Sequence, residues 1–220
     1  MGKLSGSPTL PNNMSRAFDT AARKSLTNCI REIEKGTDAE LVLIVRARSR
    51  PYAAANYLFG ALLAFAGLNF LLFSPFTFHQ YWVPIDVALL FLVGAYAASR
   101  SNSLRRLLTR KSVRDKAVRE AAAAMFYEAG IANTQAELGV LVYISLLERR
   151  LELIADRGIL KAVPALEWNQ TLFELHQVGK QPDPATLVAG LEKLGVLLAQ
   201  HLPASAENPN ELPDAPRFEL

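Results

Sequence analysis

Ala39-Glu-Leu-Val-Leu-Ile-Val-Arg-Ala-Arg48 carries an unbroken aliphatic and β-branched centre. A strand that faces water on one side alternates apolar and polar residues, whereas one that is apolar at every position is buried on both faces. The stretch therefore predicts a strand with helices packed on each side of its sheet. Just before it, between Ser15 and Lys35, Phe18, Ala22, Leu26, Cys29, Ile30 and Ile33 recur at helical spacing, and Gly36 offers a C-terminal stop. Residues 1–14 are rich in Gly, Ser, Pro and Asn and read as a disordered arm. Residues 15–50 thus form the first part of an α/β domain.

On the other side of the strand the composition changes abruptly. Ala53 to Phe73 runs AAANYLFGALLAFAGLNFLLF, twenty-one residues without a formal charge. At ~1.5 Å rise per residue such a helix crosses the ~30 Å hydrocarbon core of a bilayer. A second apolar run, Trp82 to Ser99, carries Asp86 soon after Pro84, where its carboxylate can reach the headgroup level. Between the runs lie Phe76, Phe78, Tyr81 and Trp82, rings suited to a membrane interface. Residues 52–99 are therefore expected to be a transmembrane hairpin inserted into the domain.

Charge orients it. Arg46, Arg48 and Arg50 precede the first run; Arg100, Arg105, Arg106, Arg110, Lys111 and Arg114 follow the second; the loop between has no Lys or Arg. Positive flanks stay cytoplasmic, so both termini and the soluble domain are expected in the cytoplasm of a bacterium, with the hairpin in its inner membrane. No apolar leader-like stretch occurs in the first fifty residues, so the first run is expected to act as its own insertion signal. The net charge of +3 is accounted for by these flanks, and no nucleic-acid partner is expected.

Residues 100–202 are expected to complete the domain. The basic stretch LRRLLTRK is amphipathic and suited to anionic headgroups. Ser112 to Ala129 reads as a helix whose period is set by Val113, Ala117, Ala121, Ala124, Met125 and Glu128, ended by Gly130. Gly139–Ser145 and Arg150–Asp156 read as strands joined by the short Leu-Leu-Glu-Arg turn. Leu160 to Val178 reads as one further helix, and Asp183 with Pro184 caps and opens a last one along Leu187, Leu191, Leu194 and Leu198. From Pro203 the composition turns to Pro, Asn, Glu and Asp, and residues 203–220 are expected to be a disordered tail.

Chemistry-bearing motifs are sparse. Cys29 is the single cysteine, so neither an intrachain disulfide nor a thiolate metal knuckle can form. His79, His176 and His201 are scattered, and no phosphate-cradling glycine loop, nucleophile elbow or HExxH motif occurs. Arg149, Arg150 and Arg157 are candidate anion or partner contacts, since guanidinium groups bind phosphate and carboxylate bidentately.

Two stretches together resemble the TPM domain, also called the TPM phosphatase-like domain. One is the helix leading into Ala39-Glu-Leu-Val-Leu-Ile-Val45. The other comprises Phe126-Tyr-Glu-Ala-Gly-Ile131, Thr134, Glu137-Leu-Gly-Val-Leu-Val-Tyr-Ile-Ser145, Glu148-Arg-Arg-Leu-Glu-Leu-Ile-Ala-Asp-Arg-Gly-Ile159 and Trp168. The resemblance covers residues 18–48 and 113–180 and implies an α/β fold, a small central mixed β-sheet flanked by helices. It also implies a divalent cation such as calcium at acidic loop residues, here Glu137 and Asp156; Glu137-Leu138 stands where the family commonly has Asp-Asn. Functionally it implies a membrane-protein partner and a non-catalytic role in assembly, quality control or regulation, with a metal-dependent phosphatase as the alternative.

Overall fold

The computed structural model describes residues 18–76, 78–134, 136–205 and 211–220, in two compact units. One comprises residues 18–49 with Asp115–Leu220, the other Arg50–Arg114. The expected arm, residues 1–14, lies outside the described residues, as do Ser15, Arg16 and Ala17 of the first expected helix.

The first helix, α1, is Thr20–Glu34, opened by Asp19, whose carboxylate accepts the Ala22 N–H at 2.8 Å. Phe18, expected inside the helix, precedes its cap and is buried. Strand β1 (Glu40–Arg46) is buried along nearly its whole length, as its apolar run requires. It pairs in parallel with β2 (Gly139–Ser145), from Glu40 opposite Gly139 to Arg46 opposite Ser145. β2 pairs antiparallel with β3 (Arg150–Ala155), across a turn in which Arg149 takes φ 52°. A parallel pair needs a crossover, and the chain between β1 and β2 contains the whole apolar hairpin.

Alternation then distributes the core. Leu41, Leu43, Val45, Val140, Val142, Leu151 and Leu153 face one layer, built from α1, α7 (Ala165–Lys180) and α8 (Pro184–His201). Val42, Leu141 and Tyr143 face the other, with α5 (Lys111–Glu128). The buried face of α5 is Ala117, Val118, Ala122 and Phe126. That is one position off the expected period, because Phe126 supplies more apolar area than Met125 and turns the helix toward the sheet.

Two further expectations are corrected. The single helix from Leu160 to Val178 is two, α6 (Arg157–Ala162) and α7, broken where Val163 is extended ahead of Pro164. Gly36 directly follows the cap residue Lys35, so α1 stops where expected, and its N–H reaches Ile33 O at 2.9 Å. Most consequentially, the supposed tail supplies a fourth strand, β4 (Arg217–Glu219), parallel to β1, so the sheet order is β3-β2-β1-β4. Asp183 caps α8 as expected, accepting from Ala185 and Thr186, and Gly130 ends α5 at φ 74°.

The second unit holds α2 (Ala53–Phe73), α3 (Val83–Arg100) and the short α4 (Asn102–Leu108). α2 and α3 are long and apolar enough to cross a membrane, and they pack on each other through small residues. A Cβ on Gly60 would lie 2.6 Å from the Phe91 carbonyl, and one on Gly94 would lie 3.0 Å from Gly60 Cα. Phe65, Leu72, Leu92 and Tyr96 are each more than half exposed.

Candidate functional site

Glu137 and Asp156 sit at one end of the β2–β3 pair. The 3₁₀ turn Ile131–Asn133 leads to Thr134, whose hydroxyl accepts the Leu138 N–H at 3.2 Å and whose carbonyl accepts the Glu137 N–H at 3.1 Å. Glu137 is held at φ 55°, a left-handed conformation that costs a non-glycine residue energy. Its carbonyl accepts the Gly158 N–H at 3.0 Å, while the Asp156 N–H reaches Gly139 O at 2.8 Å. Only glycine fits at 158, since a Cβ there would lie 2.6 Å from Glu137 O. The backbone thus ties the two acidic residues' segments together.

The two carboxylates differ in setting. Asp156 caps α6: Oδ1 accepts the Arg157 N–H at 2.7 Å, and Oδ2 is buried without a hydrogen-bond partner among the described residues. The Glu137 side chain is exposed. Among the described residues no group of three or more His, Cys, Asp or Glu side chains is placed to hold a metal ion. A calcium ion takes six to eight oxygens. The unsatisfied Asp156 Oδ2 fits a cation ligand, but two carboxylates do not make a cage, so an ion held here would keep most of its water.

The three arginines do not converge. Arg149 is exposed in the turn before β3 and Arg157 follows its far end; six strand residues at ~3.3 Å each separate them by about 20 Å. Arg150 is already engaged, with Asp115 at 2.9 Å and Glu152 at 2.7 Å. Burial would lower its guanidinium, but hydrogen bonds to those two carboxylates outweigh it and raise the group further. Burial likewise tends to raise Glu152, yet His176, 3.8 Å away, and Arg150 hold it below the ordinary carboxylate range. This cluster joins α5, β3 and α7 by charge, with Arg150 engaged by both Glu152 and Asp115.

A second polar cluster, not anticipated from the sequence, lies at the carboxyl ends of β1 and β2, where α/β sheets commonly place their sites. Glu148, only 7% exposed, accepts the Ser49 N–H at 3.0 Å and the Ser145 hydroxyl. The Ser49 and Tyr143 hydroxyls meet at 3.0 Å. Burial raises the Tyr143 phenol, with Ser49 and Arg46 pulling the other way. Arg46 in turn binds Glu219. The one sequence signal was an acid, Glu148, beside an otherwise apolar pair, Leu146-Leu147. Its effect is to fix the chain at Ser49, the last residue before the hairpin unit.

Two clefts flank α8. One, of about 510 Å³, lies against α1 and includes Cys29, Val188 and Val196; the other, of about 390 Å³, lies against α7 and includes Phe173, Leu175 and Val178. The Cys29 thiol is pushed up to about 11, by burial first and Glu192 second, which makes it an inert packing residue rather than a nucleophile.

No family model and no curated protein matches the chain. Among solved structures it is similar to the BA42 protein from the psychrophilic bacterium Bizionia argentinensis sp. nov., determined by NMR, with a TM-score of 0.55 and 18% identity over 91% of this chain and 94% of that chain. At that identity the likeness is one of fold alone, a small mixed sheet flanked by helices.

Proposed function

We propose that this chain is a membrane-anchored TPM-like module, non-catalytic, that assists assembly, quality control or regulation of other membrane proteins. Its α2–α3 hairpin lies in the bacterial inner membrane, and the α/β unit and both ends are cytoplasmic. The observation that carries the reading is the hairpin itself. Two apolar helices seal a narrow glycine seam and leave large side chains such as Phe65, Leu72 and Tyr96 exposed. In water such surfaces aggregate; in lipid they need no cover. Arginines bracket the hairpin at its base, and its loop carries none. The apolar clefts beside α8 offer surface for a protein contact.

Thiol labelling of intact cells tests the topology. In a Cys29→Ser background, a His79→Cys variant is labelled by an impermeant maleimide before lysis, and a Ser205→Cys variant only after it. The reverse pattern, or release of the chain from membranes by alkaline carbonate, refutes the reading. Crosslinking in native membranes then yields a reproducible membrane-protein partner.

A second reading, a metal-dependent phosphatase, is favoured by one observation, the buried and unpartnered Asp156 Oδ2. Asp156 and Glu137 would hold the cation, which when bound polarises a phosphoryl oxygen and acidifies a water. Asp156 would orient it through its fixed cap geometry, and the exposed Glu137 would face incoming substrate. Calorimetry of the solubilised chain with calcium, magnesium and manganese tests it. Binding that disappears in the Glu137→Ala, Asp156→Ala variant, together with hydrolysis of a phosphate ester, favours this reading over the first.

A further inference from the structure

The 211–220 segment is held on the sheet edge by contacts that read its sequence. Glu40 grips two successive backbone N–H groups, those of Glu211 and Leu212, at 3.2 Å each. Asp214 accepts from Arg31 Nε at 2.9 Å. The Phe218 ring lies 5.7 Å from that of Phe18 and under the Arg23 guanidinium, 4.4 Å from its centroid. Glu219 pairs with Arg46, and its carbonyl takes the Ala47 N–H at 2.9 Å. Strand pairing adds only three residue pairs, Ile44 with Arg217, Val45 with Phe218 and Arg46 with Glu219.

Upstream, the chain is tied down separately. The Asp38 N–H reaches Leu202 O, the Ala204 N–H reaches Gly36 O, and Ser205 donates to the Asp38 carboxylate at 2.7 Å from its backbone N–H. The chain is therefore anchored through Ser205 and again from Glu211. The five residues between, Ala-Glu-Asn-Pro-Asn, make six Cα–Cα steps and can bridge at most about 20 Å.

We propose that the β1 edge is a strand-accepting groove, and that its ligand is the 211–220 segment, supplied either by the same copy or in exchange by a second copy of this chain. The segment pairs with β1 over only three residues and is otherwise held mainly by side chains of α1 and β1, and an exchanged segment would restore each of those contacts. Once vacated, the edge presents the unpaired backbone of Ile44–Arg46, a template for strand addition. Three cations read the incoming segment: Arg31 an acid at 214, Arg23 an aromatic ring at 218, and Arg46 an acid at 219. A second copy carries that sequence by construction, and exchange of an identical element requires no new interface chemistry.

Charge reversal separates the two modes of closure. In full-length chain, solubilised in detergent, Arg46→Glu alone and Glu219→Arg alone each oppose like charges within one copy. Mixed, each copy's edge meets a segment of opposite charge from the other. Differently tagged copies of the two variants are expected to co-purify at least tenfold more than either does with itself. The double variant, carrying both changes in one chain, is expected to lose that preference. Should either single variant fail to fold, Arg31→Glu with Asp214→Arg poses the same test at the other end of the segment. Association no greater in the mixture than in the separate variants overturns the proposal, whatever dimers the hairpin itself forms.

Discussion

Replacing Glu148 with alanine tests whether the buried network at the ends of β1 and β2 holds the α/β unit together where the chain leaves it. The carboxylate is 7% exposed and accepts the Ser49 N–H and the Ser145 hydroxyl. A hydrogen bond to a charged acceptor contributes about 1.5–3 kcal/mol, and a buried donor left unpaired costs about 1–3 kcal/mol. The Ser145 hydroxyl can rotate to another acceptor; the Ser49 N–H cannot. Water entering the vacated space recovers part of the loss, so the net cost is roughly 3 kcal/mol. In a domain of about 150 residues each kcal/mol shifts Tm by about 2–4 °C, which gives a fall of roughly 6–12 °C. Glu148→Gln keeps one carbonyl for the Ser49 N–H and should lose about 1 kcal/mol. Trp168, buried in the core, reports unfolding by fluorescence once Trp82 of the hairpin loop is replaced by phenylalanine. A Tm within about 2 °C of the parent for the alanine variant, or a glutamine variant less stable than the alanine one, would refute the reasoning.

The Glu34 carboxyl is pushed up to about 7 by burial, which outweighs the hydrogen bond it accepts from the Leu41 N–H. A folded value raised above the ordinary 4.5 means that folding takes up a proton, so this group's contribution is complete below about 4.5 and is lost as pH rises through about 7. Urea midpoints should therefore fall between pH 5 and pH 8, and Glu34→Gln should flatten that slope; an unchanged slope sinks the assignment. In the hairpin, Gly60→Leu drives a side chain into the Phe91 carbonyl and forces the helices apart. The stacked rings of Tyr57 and Phe91, 6.4 Å apart, mark positions where a Tyr57→Cys, Phe91→Cys pair should oxidise readily in a Cys29→Ser background. Adding Gly60→Leu should cut that crosslinking several-fold, and equal crosslinking would show that the seam is not at Gly60. At the β2–β3 end, Asp156→Asn should abolish any calcium heat signal while Glu137→Gln only weakens it, since Asp156 alone presents a buried, unpartnered oxygen. Equal effects of the two changes would contradict that ranking.

Elements defined by local physics are legible in the amino-acid order. The doubly buried β1 follows from its aliphatic run, β2 and β3 from their boundaries, and the start of α8 from Asp183 and Pro184. The first hairpin helix matches its sequence reading residue for residue, Ala53–Phe73, because a charge-free apolar run has polar residues to mark both ends. The candidate sites are less legible. Neighbouring arginines in the sequence look like one cluster, but a strand carries successive residues apart, and Arg157 ends up a strand length from Arg149. Conversely, Arg46, Ser49, Tyr143 and Glu148 come together from separate segments, and only the parallel register of β1 and β2 aligns them.

β4 shows where the division falls. Arg217-Phe-Glu219 has no hydrophobic period and follows a proline-rich stretch, so local propensity argues for a tail. Its strand conformation comes from Arg46, Arg31, Glu40 and the Phe18–Arg23 pair, groups more than 170 residues away in the chain. By itself the sequence determined the apolar hairpin, its charge asymmetry and the strands and caps whose energetics are settled within a few neighbouring residues. Tertiary structure alone decided the fourth strand, the breaking apart of the arginine group and the polar cluster at Ser49. Those depend on which distant groups share one sheet edge, and a contact between distant segments leaves no periodic mark in either of them.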